Sequence, residues 1–175
     1  MSSYIINSYR FTIPTPNPFV VADGTQLFGD PILRGSPNVA GQYFDANNTE
    51  LFGLTISTVR VYMAKTGSPG GTITCRVGNV VPGYTTIGTP PTSAVTGSPT
   101  TGGGSLVSFS GSTAVIPSGE FNIEFVLTGY TGTPPVDYIY MGHNTGDVFP
   151  NGYATQSGSQ SGTGKDLCLN FDWSW

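Results

Sequence analysis

The residues able to do acid–base or nucleophilic chemistry are few and scattered. The single histidine, His143, sits in Met141-Gly142-His143-Asn144-Thr145-Gly146 at the end of a strand-like run. A Ser-His-Asp arrangement would have to combine it with Asp137 or Asp147 and one of many serines. No Gly-x-Ser-x-Gly elbow presents such a nucleophile, so His143 reads as an exposed or hydrogen-bonded loop residue. Glu120 and Glu124 share a face at i and i+4 of a strand but stand about 13 Å apart, too far for either geometry of glycoside hydrolysis. Glu124 is expected on a solvated sheet face. Asp45-Ala46-Asn47-Asn48-Thr49-Glu50 offers oxygens like those of a calcium loop, yet it lacks the central glycine and the full ligand spacing. It reads as a solvated turn. No catalytic residue, metal ligand or cofactor is assigned, and the chain is expected not to be an enzyme.

The aromatic residues carry more of the chemistry. Tyr138 and Tyr140 share one strand face, and Asp147, Phe149 and Tyr153 follow closely. Rings that stack on the CH faces of a sugar, beside amides and carboxylates that accept hydroxyl protons, make these five the candidate glycan contacts. Trp173 and Trp175, at the end of the sequence, suit a wet interface between subunits, as do Tyr4, Ile6, Tyr9 and Phe11 near its start.

The elements that must position these residues read as strands throughout. Around Leu51 to Val81, Val59 and Val61 alternate with polar neighbours before Lys65-Thr66-Gly67-Ser68-Pro69-Gly70-Gly71, and Ile73, Cys75 and Val77 alternate after it. Glycine for positive φ and proline for fixed φ force a reversal there, so the stretch reads as an antiparallel hairpin facing a core. Short strands are expected at residues 25–33, 42–44 and 92–95. Residues 105–110 and 113–116 read as a strand pair. Phe121, Ile123, Phe125 and Leu127 form an inward face, and Val136 to Met141 a further strand. Residues 82–104 and 142–164 read as two long polar loops. The final strand, 165–175, sets Leu167, Leu169, Phe171 and Trp173 on one face. Cys75 shares parity with an inward face and Cys168 opposes its neighbours, so two free thiols are expected.

The 175 residues include 25 Gly and 14 Pro, only 9% are charged, and the net charge is −4. Turn signals recur throughout and no long stretch has a helical apolar period, which points to an all-β sandwich or barrel. Arg10, Arg34, Arg60, Lys65, Arg76 and Lys165 are scattered singly, so nucleic-acid binding is not expected. No apolar run approaches the ~18 residues of a membrane span. The start, Met1-Ser2-Ser3-Tyr4, has no basic and apolar leader pattern. With an extracellular type of composition, this reads either as a mature chain whose leader has been removed or as a protein that reaches the outside on a particle.

One order of motifs carries a resemblance. It runs from TISTVRVYMAKTGSPGGTITCRV through Ile116-Pro117-Ser118-Gly119-Glu120-Phe121 and a Tyr138-Ile139-Tyr140-Met141 strand. A Gly/Ser/Asn-rich loop and Lys165-Asp166-Leu167-Cys168-Leu169-Asn170-Phe171 complete it. Over residues 26–175 this resembles the carbohydrate-binding-module-like jelly-roll domains of exported bacterial proteins and of phage structural proteins. The opening Ile5 to Phe11 resembles the start of small phage minor structural proteins. The resemblance implies an all-β, two-sheet antiparallel jelly-roll sandwich over 26–175. Residues 1–25, a strand-like Tyr4 to Phe11 followed by Pro14, Pro16 and Pro18, read either as an edge strand with an extended linker or as a Pro-rich arm that reaches a neighbouring subunit. It implies a virion structural protein, a head decoration, minor capsid or fibre component at the virion surface. Its partners would be other virion proteins and copies of itself, a trimer being a natural form. The alternative is an extracellular carbohydrate-binding module that recognises a surface glycan.

Overall fold

The computed structural model describes residues 27–36, 38–80, 83–145, 151–161 and 164–174. The expected arm and its contacts Tyr4, Ile6, Tyr9 and Phe11, together with Asp147, Phe149 and Trp175, lie outside the described residues. The described strands are β1 (Leu27–Leu33), β2 (Val39–Phe44), β3 (Thr55–Thr66), β4 (Gly70–Asn79), β5 (Gly83–Gly88) and β6 (Ser105–Val115). They continue with β7 (Phe121–Thr131), β8 (Tyr138–Asn144), β9 (Gly152–Gln156), β10 (Ser159–Gln160), β11 (Asp166–Leu167) and β12 (Leu169–Ser174).

These strands make two antiparallel sheets packed face to face, an all-β sandwich. The first sheet places β1, β8, β3 and β6 side by side, with β11 set against β8 and β12 against β3. The second runs β10-β9-β2-β7-β4-β5. Alternation explains the layering, since successive side chains of a strand point to opposite faces. Val59, Val61 and Met63 of β3 face Ile73, Cys75 and Val77 of β4 and Phe121, Ile123, Phe125 and Leu127 of β7 across one continuous core. Phe109 of the first sheet meets Phe125 of the second at a ring separation of 5.1 Å. Within the second sheet, Phe44 stacks on Phe121 at 4.6 Å. Each such ring contributes roughly 1.5–3 kcal/mol by leaving water.

The expected hairpin is corrected. β3 and β4 do not pair: β3 is bonded to β6, β8 and β12, and β4 to β5 and β7. The glycine-rich turn carries the chain from one sheet to the other as an arch. Gly67 (φ 60°) and Gly71 (φ 117°) take the positive φ that the arch requires. A Cβ at Gly71 would lie 2.5 Å from the carbonyl oxygen of Thr128, so the arch also needs the missing side chain. The Asp137 carboxylate holds the arch by accepting the Ser68 N–H at 2.7 Å. The inward parity of Val59, Val61, Ile73 and Val77 is as expected, but the two strands cover each other across the core rather than side by side.

Further expectations change. The stretch 82–104, expected as a loop, contains β5, paired with β4. Residues 105–115 form one strand, not two, bent at Gly111 (φ 123°) with a register shift opposite Ile56 and Thr58. That is a β-bulge, which mimics a turn in sequence. Thr92–Ala94 is a 3₁₀ turn rather than a strand. The stretch 142–164 contains β9 and β10, joined through Ser157 (φ 52°) and Gly158 (φ 79°), the positive-φ pair of a tight hairpin.

The last strand closes the structure where β3 and β8 part. Cys168 donates its N–H to Gly142 O at 2.8 Å and accepts the Tyr62 N–H at 3.0 Å, bridging both strands. A buried polar pin secures the same region to the second sheet. Gln42 Nε2 donates to Asp166 Oδ1 at 2.6 Å, and Gln42 Oε1 accepts the Leu167 N–H at 2.9 Å. Gln42 is 0% and Asp166 2% exposed. Both cysteines are free, as expected, and both are buried, Cys168 even though its parity opposes that of Leu167 and Leu169. Burial pushes both thiols up, that of Cys168 to about 12.

Candidate functional site

The outer face of the second sheet gathers the most recognition chemistry. Register places Tyr153, Tyr43, Asn122, Gly78 and Tyr84 in one row across β9, β2, β7, β4 and β5. At about 4.8 Å between strands the row is ~19 Å long. The adjacent row holds Thr155, Gly41, Glu124, Arg76 and Thr86.

At one end, the Tyr43 and Tyr153 rings stack at 4.7 Å with planes 24° apart. Tyr43 Oη donates to Glu120 Oε2 at 2.7 Å. That bond to a carboxylate, and burial after it, hold the Tyr43 phenol well above its usual range. At the other end, Tyr84 Oη donates to Glu124 Oε1 at 2.9 Å. Arg76 gives Nε and Nη2 to Glu124 Oε2 at 2.9 and 2.7 Å and lays its guanidinium 4.2 Å above the Tyr84 ring. Burial first, and then the bond to Glu124, push the Tyr84 phenol up to about 12.

Glu124 was expected in solvent and is only 7% exposed. Its strand parity is outward as expected, but Tyr84, Arg76 and the bare backbone of Gly41 close over it. A Cβ at Gly41 would stand 3.2 Å from Glu124 Cγ and 2.6 Å from the Ile123 carbonyl oxygen, so glycine makes room for the carboxylate.

The opposite face of the sandwich carries Tyr138 and Tyr140, edge to face at 6.1 Å. Arg34 lies 5.3 Å over Tyr138 and donates Nη1 to its hydroxyl at 2.9 Å. Farther along, Arg60 forks onto Asp172 at 2.8 and 2.6 Å and also reaches Asn170. Of the candidate glycan contacts, therefore, Tyr138 and Tyr140 stand together while Tyr153 belongs to the other outer face. Trp173 packs half-buried against the core beside Phe171.

The remaining reactive groups serve the fold. His143 is 4% exposed on β8, in register with Leu27 and Leu167, and not a loop residue. Its strand continues past Met141, which buries a ring that the sequence placed at a strand end. Asp137 accepts backbone N–H groups from Ser68 and Thr133. The Asp45 carboxylate accepts N–H groups from Asn47 and Asn48, an arrangement suited to a turn and not to a cation. Among the described residues no three His, Cys, Asp or Glu side chains group to hold a metal. No helix among them is long and apolar enough to cross a membrane.

Tyr43, Tyr84, Asn122, Arg76 and Glu120 were not foreseen as one site. Their adjacency was not legible in the sequence, because it depends on which strands pair. No family model matches the chain, and no curated protein matches it.

Proposed function

We propose that the chain is a non-catalytic structural protein of a virus particle, displayed on the particle surface and working through assembly contacts. The observation that carries the proposal is the character of the surface. The buried apolar side chains are gathered in one inter-sheet core, and Arg60 and Arg76 are neutralised by Asp172 and Glu124. What faces outward on the sheets is mainly tyrosine, amide and hydroxyl, joined by the exposed apolar side chains Leu27, Leu106 and Val115, with Gly/Pro/Thr-rich connections at the ends. Such a polar, charge-poor, aromatic surface suits wet protein–protein interfaces, where tyrosine is enriched and lysine and glutamate are depleted. The resemblance of the motif order to phage structural domains supports the same reading, which includes a symmetric homo-oligomer, a trimer being one natural form. Mass spectrometry across a density gradient of particles from the source culture tests the proposal. Co-sedimentation in fixed stoichiometry is the expected result; a chain that stays soluble or follows the cell envelope removes the proposal.

One observation favours a second reading, an extracellular carbohydrate-binding module. The row Tyr153–Tyr43–Asn122–Tyr84, with Glu120 at its side, brings tyrosine rings, an amide and a carboxylate together on one sheet face. A glycan array probed with the chain and with Tyr43→Ala decides it. Binding that Tyr43→Ala loses supports this reading, and no binding to any sugar removes it.

A further inference from the structure

We infer that Asn151 is a site of spontaneous modification, deamidating through a cyclic imide to aspartate and isoaspartate. Asn151-Gly152 is the one Asn-Gly pair in the chain. Glycine has no Cβ to hinder approach to its own amide nitrogen, so the sequence presents the least obstructed nucleophile available to an asparagine side chain. The fold leaves that chemistry open on both sides of the bond. Asn151 is exposed, at φ 62°, immediately before β9. Its contacts run through its backbone carbonyl, which accepts the Asp45 N–H at 2.9 Å and Asn48 Nδ2 at 3.3 Å. Among the described residues no hydrogen bond holds its side-chain carboxamide. Gly152 stands opposite Phe44, and the neighbouring Asp45-to-Asn151 bond makes this a non-hydrogen-bonded pair. The Gly152 N–H therefore takes no part in the β2–β9 ladder.

The step balances without an oxidant or reductant. The deprotonated Gly152 nitrogen attacks Asn151 Cγ, forming the N–Cγ bond, and the Cγ–Nδ2 bond breaks. Nδ2 leaves as ammonia, taking up the protons it needs from the amide and from solvent. Water then opens the imide at Cγ to give aspartate, or at the backbone carbonyl carbon to give isoaspartate. Either product places a new negative charge beside Asp45. Isoaspartate also inserts a methylene into the main chain two residues before Tyr153. That displaces the carbonyl on which Asp45 and Asn48 hang and shifts the Tyr153 ring against Tyr43.

Intact folded chain is aged at mildly alkaline pH, beside a sample unfolded in urea, and both are followed by peptide mapping and isoaspartyl methyltransferase labelling. The expected result is modification at Asn151 ahead of every other asparagine. The folded rate should lie within about tenfold of the unfolded rate and rise with pH, as attack by a deprotonated amide requires. Asn151→Gly, which tolerates the positive φ, should remove the dominant signal. A folded rate more than about tenfold below the unfolded one, or another asparagine reacting first, overturns the inference.

Discussion

Replacing Glu124 with Gln probes whether the covered ion pair on the second sheet is a working part of the fold. Gln keeps the shape and can still accept the Tyr84 hydroxyl, but it turns an amide N–H or a neutral oxygen toward Arg76. Losing one partner of a buried pair costs about 3–5 kcal/mol. Here the side chains are unequal, with Arg76 33% and Glu124 10% exposed, so water recovers part of the guanidinium. The expected loss is therefore ~2–3 kcal/mol, read as a shift in the urea midpoint at constant slope. For a chain of this length that lowers Tm by roughly 5–10 °C. Arg76→Met should cost at least as much, because it leaves the less exposed charge with only the Tyr84 hydroxyl. The double variant should then be more stable than the sum of the single losses predicts, by ~1–3 kcal/mol. A Glu124→Gln protein within about 0.5 kcal/mol of the parent, or two losses that add without coupling, would refute the reasoning.

Gln42→Leu should destabilise by ~2–3 kcal/mol, because Asp166 and the Leu167 N–H both lose a buried partner; chemical denaturation reads it, and a neutral result would contradict the inter-sheet pin. Neither Cys75 nor Cys168 should react with a thiol reagent in the folded chain, both labelling only on unfolding; fast labelling of either would show that its burial is wrong. Asp172 is held below the ordinary carboxylate range first by its hydrogen bond from Arg60, and Asp137 by backbone N–H groups of Thr133 and Ser68. A depressed folded pKa contributes stability above the unfolded value that is lost as pH falls through the folded one. Thermal midpoints should thus decline below about pH 4, and Asp172→Asn should flatten part of that decline; an identical profile in the variant would count against the Arg60–Asp172 contribution.

Much of the layering was legible because β alternation has only one period to find. Phe121, Ile123, Phe125 and Leu127 could face only one way, and so could Val59 with Val61. What alternation does not encode is the partner. A strand with one buried face reads the same whether its sequence neighbour lies beside it or across the core, so Gly67 to Gly71 signalled a reversal without fixing its plane. Gly111 carries the ambiguity at smaller scale, since a positive-φ glycine serves a bulge as well as a turn. β9 was hidden because its five residues, Gly152 to Gln156, hold only Tyr153 and Ala154 against a background of Gly, Ser and Gln. The candidate face suffered most. Tyr43, Asn122, Arg76 and Tyr84 come from four strands, and their adjacency exists only once β2, β7, β4 and β5 are in register. Glu124 was given its correct face, but its cover comes from those same neighbours.

The most direct test of the proposed role is immunogold electron microscopy of intact particles from the source culture, using antibody raised against the folded chain. Gold in a regular pattern on the exterior of unbroken particles is the expected outcome. Particles that contain the chain's peptides yet bind gold only after disruption, or particles never labelled, would contradict a surface structural protein.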